Sequence, residues 1–427
     1  MKLFINANIP TSSAALKRVN VLFDQKIVKV SKDPIETEEG VEVIDLDGML
    51  LLPGAVDIHC HIMSKLADYP QHLEAVTKTA ISGGWTTLAD MSYMTDTPIF
   101  VKSTLAKRIP IVDANSYCDI TLWGHVDIED YPYHSEAAQE LWGKGMVGLI
   151  LMNPSPNPAV SDISYTEIMD LFLDIYDSDT AFAYQGWDVE ESKGFDRESQ
   201  TAAVKKLLRR MQENPIHIPR VTFFELIDFI NGVSKRSDIS FSLCMADVMN
   251  LMAGISRPDA MVMDLEEQID LMLELFRTNK IYLLSNNASY FPSQTDTPDI
   301  FAGIDYQRME YSYLWVLSEL WKKQKLPLHS CIKMTSENPA KRLGIYPQKG
   351  SLDAGSDADF MIYNPEGLTQ TNLKTDAGDT VELSGSINTV YLKGDVVYSG
   401  KTHHAKNGRY LARSHSPKRR HNKTTWI

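Results

Sequence analysis

Two histidines separated by one residue follow an aspartate in the segment Pro53–His61, which reads PGAVDIHCH. Side chains alternate along a β-strand, so Asp57, His59 and His61 would share one face. Two imidazoles at the carboxyl end of a barrel strand can chelate one metal ion. The sequence therefore predicts a divalent-metal site, or the remnant of one. Asp57 would stand beside the ligands and hold an imidazole in the required tautomer.

Short apolar runs alternate with helix-like segments through the middle of the chain. The predicted strands include residues 55–58, 86–91 and 147–152, and the predicted helices include residues 72–81 and 265–278. Repeated strand–helix units indicate a parallel sheet with right-handed crossovers. Because roughly eight such units follow one another, the pattern predicts an α/β protein with a (β/α)8 barrel.

Both ends of the chain have a different sequence pattern, which predicts short strands separated by turn residues. We predict that residues 1–53 and 347–400 pair into one small composite β-sandwich. Residues 54–346 would form the barrel, and residues 401–427 would form a basic C-terminal tail.

The net charge of the 427 residues is −14, from 42 Lys and Arg against 56 Asp and Glu. Eight of the basic residues and none of the acidic ones fall in residues 401–427, so the other 400 residues carry a net charge of −22. Phosphate binding depends on basic surface, and this balance therefore argues against nucleic acid as a partner of the main body.

The four cysteines, Cys60, Cys118, Cys244 and Cys331, form no CxxC pair. Sparse cysteines without disulfide-like spacing indicate reduced thiols in a reducing compartment. The N-terminal residues lack the apolar core of a signal peptide, and no apolar run reaches the length of roughly 18 residues that a bilayer span needs. We therefore expect a cytoplasmic protein without a membrane partner.

Three motifs together carry a family resemblance. Besides PGAVDIHCH, residues 83–91 read GGWTTLADM, and residues 338–352 read NPAKRLGIYPQKGSL, followed by GSDAD at 355–359. These segments resemble the signatures of the amidohydrolase superfamily, in its dihydroorotase, hydantoinase (dihydropyrimidinase) and allantoinase branch. The resemblance implies a barrel with a composite β-sandwich and metal-dependent hydrolysis of a cyclic amide, such as a dihydropyrimidine, hydantoin or allantoin ring.

The chain departs from the binuclear metal centre that this resemblance implies. The position of the family's carboxylated lysine on the fourth barrel strand is Ile150, and the position of the histidine on the fifth strand is Tyr184, uncertain by one residue. The histidine position on the sixth strand is Arg220, although a shorter register would make His217 the ligand. The position of the catalytic aspartate on the eighth strand is Asn286, whose neutral amide cannot act as a base.

These substitutions favour a family member that has lost most metal ligands. We expect it to be catalytically inactive or strongly diverged, a pseudoenzyme that acts as a scaffold, a regulatory protein or a ligand-binding partner. It would hold no cofactor or one weakly bound zinc ion at His59 and His61. Arg220 could bind a small anion. The expected protein partners are further copies of the chain or an active homologous enzyme.

Two other interpretations stay open. The first is an active hydrolase that opens a cyclic amide with a reduced, mononuclear site on His59 and His61, with His217 recruited as a further ligand. The second is a repurposed enzyme that needs no metal. Metal content and ring-opening assays separate these interpretations.

Overall fold

The N-terminal strands form one half of a mixed sheet. The computed structural model describes all residues except 14, 127–133, 175–180, 190–196, 211–214, 235–237, 255–263, 291–303, 375–379 and 414–427. The first strands are β1 (Lys2–Pro10), β2 (Leu16–Phe23), β3 (Ile27–Ser31), β4 (Glu42–Asp45) and β5 (Leu50–Pro53). Strand β1 pairs antiparallel with β2 and parallel with β4 and β5, and β3 follows β2 at the edge.

The central part of the chain supplies the strands of a parallel barrel. They are β6 (Ala55–His61), β7 (Trp85–Asp90), β8 (Asp119–His125), β9 (Gly148–Asn153), β10 (Ala181–Gly186), β11 (Ile216–Ile218), β12 (Ile239–Phe241), β13 (Leu243–Cys244), β14 (Leu284–Ser285), β15 (Ala288–Ser289) and β16 (Ile304–Asp305). Strands β6 to β12 pair in chain order, and nearly all their residues are buried. Parallel strands covered on both faces need apolar residues on both, which explains runs such as GLILMN in β9.

Two short pairings close the barrel at its seventh and eighth strand positions. Strand β13 continues from β12 and pairs with β14, with Leu243 opposite Leu284. Strand β15 continues from β14 and pairs with β6, with Ala288 opposite Cys60. The eight strand positions therefore enclose one interior. We call the carboxyl end of these strands the barrel mouth.

Helices follow the barrel strands and cover the barrel. They are α1 (Tyr69–Ser82), α2 (Lys102–Asn115), α3 (His134–Gly143), α4 (Tyr165–Asp174), α5 (Arg197–Leu208), α6 (Phe224–Ser234), α7 (Met245–Met252), α8 (Leu265–Arg277), α9 (Met309–Trp315), α10 (Leu328–Ile332) and α11 (Asn338–Leu343), with π-helical segments at Val316–Lys323 and Lys333–Glu337. Helix α8 illustrates the local signals. The Asp264 side chain caps it by accepting a hydrogen bond from Glu267 N at 2.9 Å, and Arg277 lies in its last turn. No helix in the described ranges is long and apolar enough to span a bilayer.

The C-terminal strands complete the sheet that the N-terminal strands begin. They are β17 (Phe360–Lys374), β18 (Thr380–Leu392), β19 (Asp395–Ser399) and β20 (Thr402–His403). Strand β17 pairs antiparallel with β5, with Phe360 opposite Pro53, so the two ends of the chain share one nine-stranded sheet. The rings of Phe4, Phe23 and Tyr391 pack against Phe360 in the buried apolar cluster of this sheet. The predicted fold, a barrel with a module built from both termini, is confirmed.

A buried ion cluster joins the barrel to this sheet. The Lys349 ammonium is completely buried and lies 2.6 Å from Asp119 Oδ2, 2.7 Å from Asp359 Oδ2 and 3.0 Å from Asp357 Oδ2. Asp119, the first residue of β8, also accepts a hydrogen bond from Lys393 at 2.6 Å. The surrounding carboxylates raise the pKa of Lys349 despite its burial. The cluster therefore ties a barrel strand to the segment that leads into β17.

Residues 402–413, which we call the C-terminal strap, run along the amino-terminal end of the barrel. Arg409 N donates to Asp119 Oδ1 at 2.9 Å, and Arg413 N donates to Gly145 O at 2.7 Å. Asp119 begins β8 and Gly145 precedes β9, so the strap lies at the end opposite the mouth. Part of the predicted basic tail is thus packed on the barrel, and residues 414–427 lie outside the described residues.

Candidate functional site

Strand β6 brings two histidine rings together inside the barrel. His59 Nε2 lies 2.8 Å from His61 Nε2, a hydrogen-bond distance, and both side chains are buried. The alternation of side chains along the strand places both rings on one face, as the sequence predicts. The strand therefore places the two imidazoles side by side, as the HxH spacing predicts.

The partners of the two rings assign their protons. Tyr93 N donates to His61 Nδ1 at 3.4 Å, so the neutral ring of His61 carries its proton on Nε2 and donates it to His59. His59 then holds its own proton on Nδ1, an atom that is buried without a hydrogen-bond partner among the described residues. In this arrangement the two rings satisfy each other at the nitrogens that converge.

Both imidazoles are neutral at physiological pH. Burial lowers the pKa of His61 to about 4 and holds the pKa of His59 well below its usual value. The positive charge of Arg220 lowers the pKa of both rings further. A guanidinium therefore lies close enough to shape the electrostatics of the pair.

Asp57 holds the backbone around the histidines. Its Oδ1 accepts hydrogen bonds from His59 N at 3.2 Å and from Asn286 N at 3.1 Å. Its Oδ2 is buried with no partner among the described residues. Burial raises the pKa of Asp57 to about 7. The sequence predicts that Asp57 orients an imidazole, whereas in the structure its Oδ1 is bound by main-chain N–H groups.

Five side chains form one row across neighbouring barrel strands. The register places His125, Ile150, Ala183, His217 and Ser240 opposite one another in turn. Residues directly opposite in a sheet share a face. His217 lies close enough to His59 to lower the pKa of that ring, so the row faces the barrel interior. Ile150, at the position of the family's lysine, is fully buried in this row.

On the fifth barrel strand, Tyr184 lies on the face opposite to this row. Tyr184 pairs with Leu151, whereas Ala183 pairs with Ile150. Since side chains alternate, Gln185 is the next residue on the interior face, and it is buried. Within the one-residue uncertainty of the sequence alignment, Gln185 is the residue placed where a fifth-strand ligand would face the interior.

His217 lies deep in the row and contacts two hydroxyl groups. Its Nδ1 is 2.9 Å from Ser240 Oγ, and its Nε2 is 3.3 Å from Ser242 Oγ. Burial lowers its pKa well below the usual value. In this arrangement both ring nitrogens of His217 have serine partners.

Arg220 follows β11 at the barrel mouth and is 4% exposed. Its Nε lies 3.4 Å from Asp247 Oδ2. Its backbone has φ = 49°, in the left-handed region that a residue with a Cβ rarely adopts. The structure thus places a buried guanidinium near His59 and His61, at the sixth-strand position of the sequence alignment.

Asn286 reaches the same region from the eighth strand position. Its backbone N–H donates to Asp57, and its Nδ2 is buried without a hydrogen-bond partner in the described part of the chain. The neighbouring Asn287 lies close enough to the His61 ring to affect its pKa. The structure therefore brings together Asp57, His59, His61, Arg220 and Asn286.

The buried non-glycine residues with a left-handed backbone lie at the barrel mouth. Nine non-glycine residues of the described chain have positive φ, and the three buried ones are Ser92, Arg220 and Asn287. Ser92 follows β7, Arg220 follows β11, and Asn287 lies between β14 and β15. Such conformations cost of order 1–3 kcal/mol each and cluster at functional sites.

Two features of the site are not predicted by the motifs, namely the serine pair around His217 and the neighbouring Asn287. Strand alternation could have indicated Ser240 once the register was fixed. His125, at the end of the third barrel strand, accepts a hydrogen bond at Nδ1 from Ile99 N at 3.0 Å. Within the described ranges, no three His, Cys, Asp or Glu side chains are grouped so that they could hold a metal ion.

Comparison with protein families and known proteins gives a consistent result. Residues 50–397 match the family model described as "Amidohydrolase family". A dihydroorotase from Acetivibrio thermocellus is 23% identical, with the alignment covering 88% of this chain and 94% of that protein. A dihydroorotase from Caldicellulosiruptor saccharolyticus is 22% identical over 89% of this chain and 93% of its own length.

Solved structures share the fold at low identity. L-hydantoinase (dihydropyrimidinase) from Arthrobacter aurescens superposes with a TM-score of 0.78, at 19% identity over 96% of this chain and 99% of its own. Dihydropyrimidinase from Brevibacillus agri superposes with a TM-score of 0.77, at 18% identity over 97% of this chain and 98% of its own. These likenesses support the architecture described above.

Proposed function

This chain belongs to the amidohydrolase family, and from that premise we propose that it is a diverged dihydroorotase/hydantoinase-like member that does not run metal-dependent ring hydrolysis. We further propose that its barrel mouth binds a small anion. The observation that carries the proposal is the set of side chains that lies around His59 and His61.

This set of side chains does not fit the metal centre of the family. It offers two neutral imidazoles that hydrogen-bond each other, the amide of Asn286, the alkyl chain of Ile150 and the cation of Arg220. Catalytic zinc sites hold three good protein ligands and an open position. Two imidazoles and an amide provide no negative charge, and a neighbouring guanidinium repels a cation. The carboxyl group of Asp57 is held by main-chain N–H groups, and burial raises its pKa to about 7, which disfavours its charged form.

The chemistry of the family also needs a base that this set does not supply. A metal-bound water becomes a nucleophile when its pKa falls to about 7, and a neighbouring group must accept its proton. An amide at position 286 cannot accept that proton. We therefore derive no hydrolytic step through a metal at this site.

Anion binding follows from the charge at the mouth. Arg220 is buried, is held beside Asp247, and acts electrostatically on both imidazoles. A guanidinium recognises carboxylates and phosphates through charge-assisted hydrogen bonds. The strained backbones of Ser92, Arg220 and Asn287 support a retained binding role, because strain persists where function uses it. Binding without turnover also suits a regulatory or scaffold role beside further copies of the chain or an active homologous enzyme.

One observation favours a second candidate, an active hydrolase with a mononuclear site. The rings of His59 and His61 converge as two ligands of one ion would. His217 would have to leave Ser240 and Ser242 to join them. This candidate predicts a firmly held ion and ring opening, so it is separable by measurement.

We expect the purified full-length chain to retain far less than one divalent ion per subunit after dialysis. We also expect no opening of dihydroorotate, dihydrouracil, hydantoin or allantoin above the uncatalysed rate, because the ligand set and the base are incomplete. Elemental analysis and ring-opening assays check both expectations. An active dihydroorotase treated identically is the control. Stoichiometric zinc together with turnover would establish the second candidate instead.

Replacing Arg220 with methionine should remove the preference of the mouth for an anion. In the unchanged chain we expect dihydroorotate, which carries a carboxylate, to bind about tenfold more tightly than dihydrouracil, which does not. The variant should bind the two equally in isothermal titration calorimetry. Lys280→Met, which removes an exposed partner of Asp228 far from the mouth, is the matched control. Equal affinities in the unchanged chain would refute anion binding by Arg220.

A further inference from the structure

Two adjoining cavities lie between helices α4 and α5, outside the barrel. The inner cavity, of about 450 Å³, reaches the carboxyl ends of β9 and β10. The outer cavity, of about 640 Å³, runs along the solvent side of α5. Tyr165 and Lys206 line both cavities, which therefore form one continuous depression that we call the α4–α5 trough.

The inner end of the trough combines aromatic and apolar side chains with two carboxylates. Tyr184, Trp187, Pro154 and Ile163 line it, and Asn153, Ser164, Asp162 and Asp188 add polar groups. Asp188 Oδ2 lies 3.2 Å from Lys206 Nζ. The volume of this cavity lies within the range of about 300–1,000 Å³ that small-molecule sites occupy. This end suits a flat ring that carries hydrogen-bonding groups.

The outer end of the trough is strongly basic. Lys205, Lys206, Arg209 and Arg210 fall within six consecutive residues and all line the cavity, together with two acidic residues, Glu198 and Glu225. The lining of this outer end therefore carries a net charge of +2, whereas Asp162 and Asp188 line the inner end. Residues 1–400 contain 34 basic and 56 acidic residues, a net charge of −22. The outer end of the trough is thus a local positive site on a negative body, and it would attract anions there.

Tyr165 positions the cations at the junction of the two cavities. Its hydroxyl donates to Lys206 O at 2.6 Å near the end of α5. Its ring lies 4.8 Å from Lys206 Nζ and 5.6 Å from Arg210 Cζ. Lys205 and Lys206 lie in the last turn of α5, where positive charge stabilises the helix. Arg209 and Arg210 follow the end of the helix and line the outer cavity.

We propose that the α4–α5 trough binds an organic phosphate with a flat heterocyclic ring, the chemistry of a nucleoside 5′-monophosphate. The ring would lie against Trp187 and Tyr184, and the phosphate would lie against Arg209 and Arg210, since guanidinium groups recognise phosphate through paired hydrogen bonds. This site shares no residue with the set Asp57, His59, His61, Arg220 and Asn286, although its inner end adjoins the carboxyl ends of β9 and β10. Its occupation does not depend on the function proposed for the mouth.

Calorimetric titration of the full chain with UMP, AMP, uridine, adenosine and inorganic phosphate tests the proposal. We expect each monophosphate to bind at least about tenfold more tightly than its nucleoside or phosphate alone, because both ends of the trough contribute. Added salt should weaken the binding. The emission of Trp187 should change on binding and give a local signal.

Two variants locate the ligand. Arg210→Ala and Arg209→Ala should each weaken monophosphate binding by about tenfold. Arg209→Ala keeps the contact of Arg210 with Tyr165, so the pair stays informative if one variant folds poorly. Lys102→Ala, at an exposed ion pair on α2, is the control and should bind as the unchanged chain does.

Three outcomes would overturn the proposal. The first is the absence of monophosphate binding at millimolar concentration. The second is equal binding by both arginine variants and the control. The third is tighter binding of an acidic peptide such as oligoglutamate than of either nucleotide, which would identify a protein-docking surface instead.

Discussion

Replacing Lys349 with methionine should destabilise the folded chain by about 3–5 kcal/mol, the usual effect of breaking a buried ion pair by removing one partner. The Lys349 ammonium is fully buried against Asp119, Asp357 and Asp359. Without it, these carboxylates would face one another with Lys393 as the remaining cation at Asp119. Chemical denaturation, followed by circular dichroism, measures the loss directly.

A matched variant separates burial from the mere loss of a lysine. Lys102 pairs with Glu140 at 2.6 Å, but about half of each side chain is exposed. Lys102→Met should therefore change the free energy of unfolding by less than about 1 kcal/mol. If Lys349→Met cost no more than Lys102→Met, the cluster would not join the barrel and the sheet as we infer.

Replacing Asp57 with asparagine should stabilise the chain at neutral pH and have little effect near pH 4. Burial raises the pKa of Asp57 from 3.8 to about 7, so the folded chain binds this proton more tightly than the unfolded chain. The resulting stabilisation is complete below about pH 4 and is lost as the pH rises to about 7. Asparagine keeps an oxygen for His59 N and Asn286 N but has no charge to bury.

The test measures how the difference in the free energy of unfolding between the unchanged chain and Asp57→Asn depends on pH. Stability of the unchanged chain relative to Asp57→Asn should fall by about 1.4 kcal/mol per pH unit between pH 4 and 7, and then level off. Asp45→Asn is a useful control, because Asp45 is exposed and its pKa is lowered by hydrogen bonds. A pH-independent difference for Asp57→Asn would mean that Asp57 is ionised in the folded chain across this range.

Sequence patterns predict the barrel and its histidine strand because both depend on local periodicity. The apolar runs predict β9 within one residue at its start, and the HxH spacing places His59 and His61 on one face. The predicted helix 265–278 ends one residue beyond the observed α8. The short strands and turn residues at both ends of the chain predict the pairing of the two termini, which the register of β5 with β17 confirms.

Other features depend on contacts between distant segments and have no local signal. A shift of one residue changes the face of a strand, which is why Tyr184 and Gln185 could not be told apart before the register was known. The ion cluster of Lys349 combines residues more than 200 positions apart in the sequence. The left-handed backbone of Arg220 is imposed by its surroundings, since arginine has no preference for it.

The course of the C-terminal strap determines where the protein can be attached to something else. The described chain ends at Arg413, beside Gly145 at the foot of β9. A fluorophore, affinity handle or surface linker placed directly after Arg413 would therefore start from the end of the barrel remote from Arg220. Immobilised in this way, the molecule would present its barrel mouth to the solution on a sensor chip.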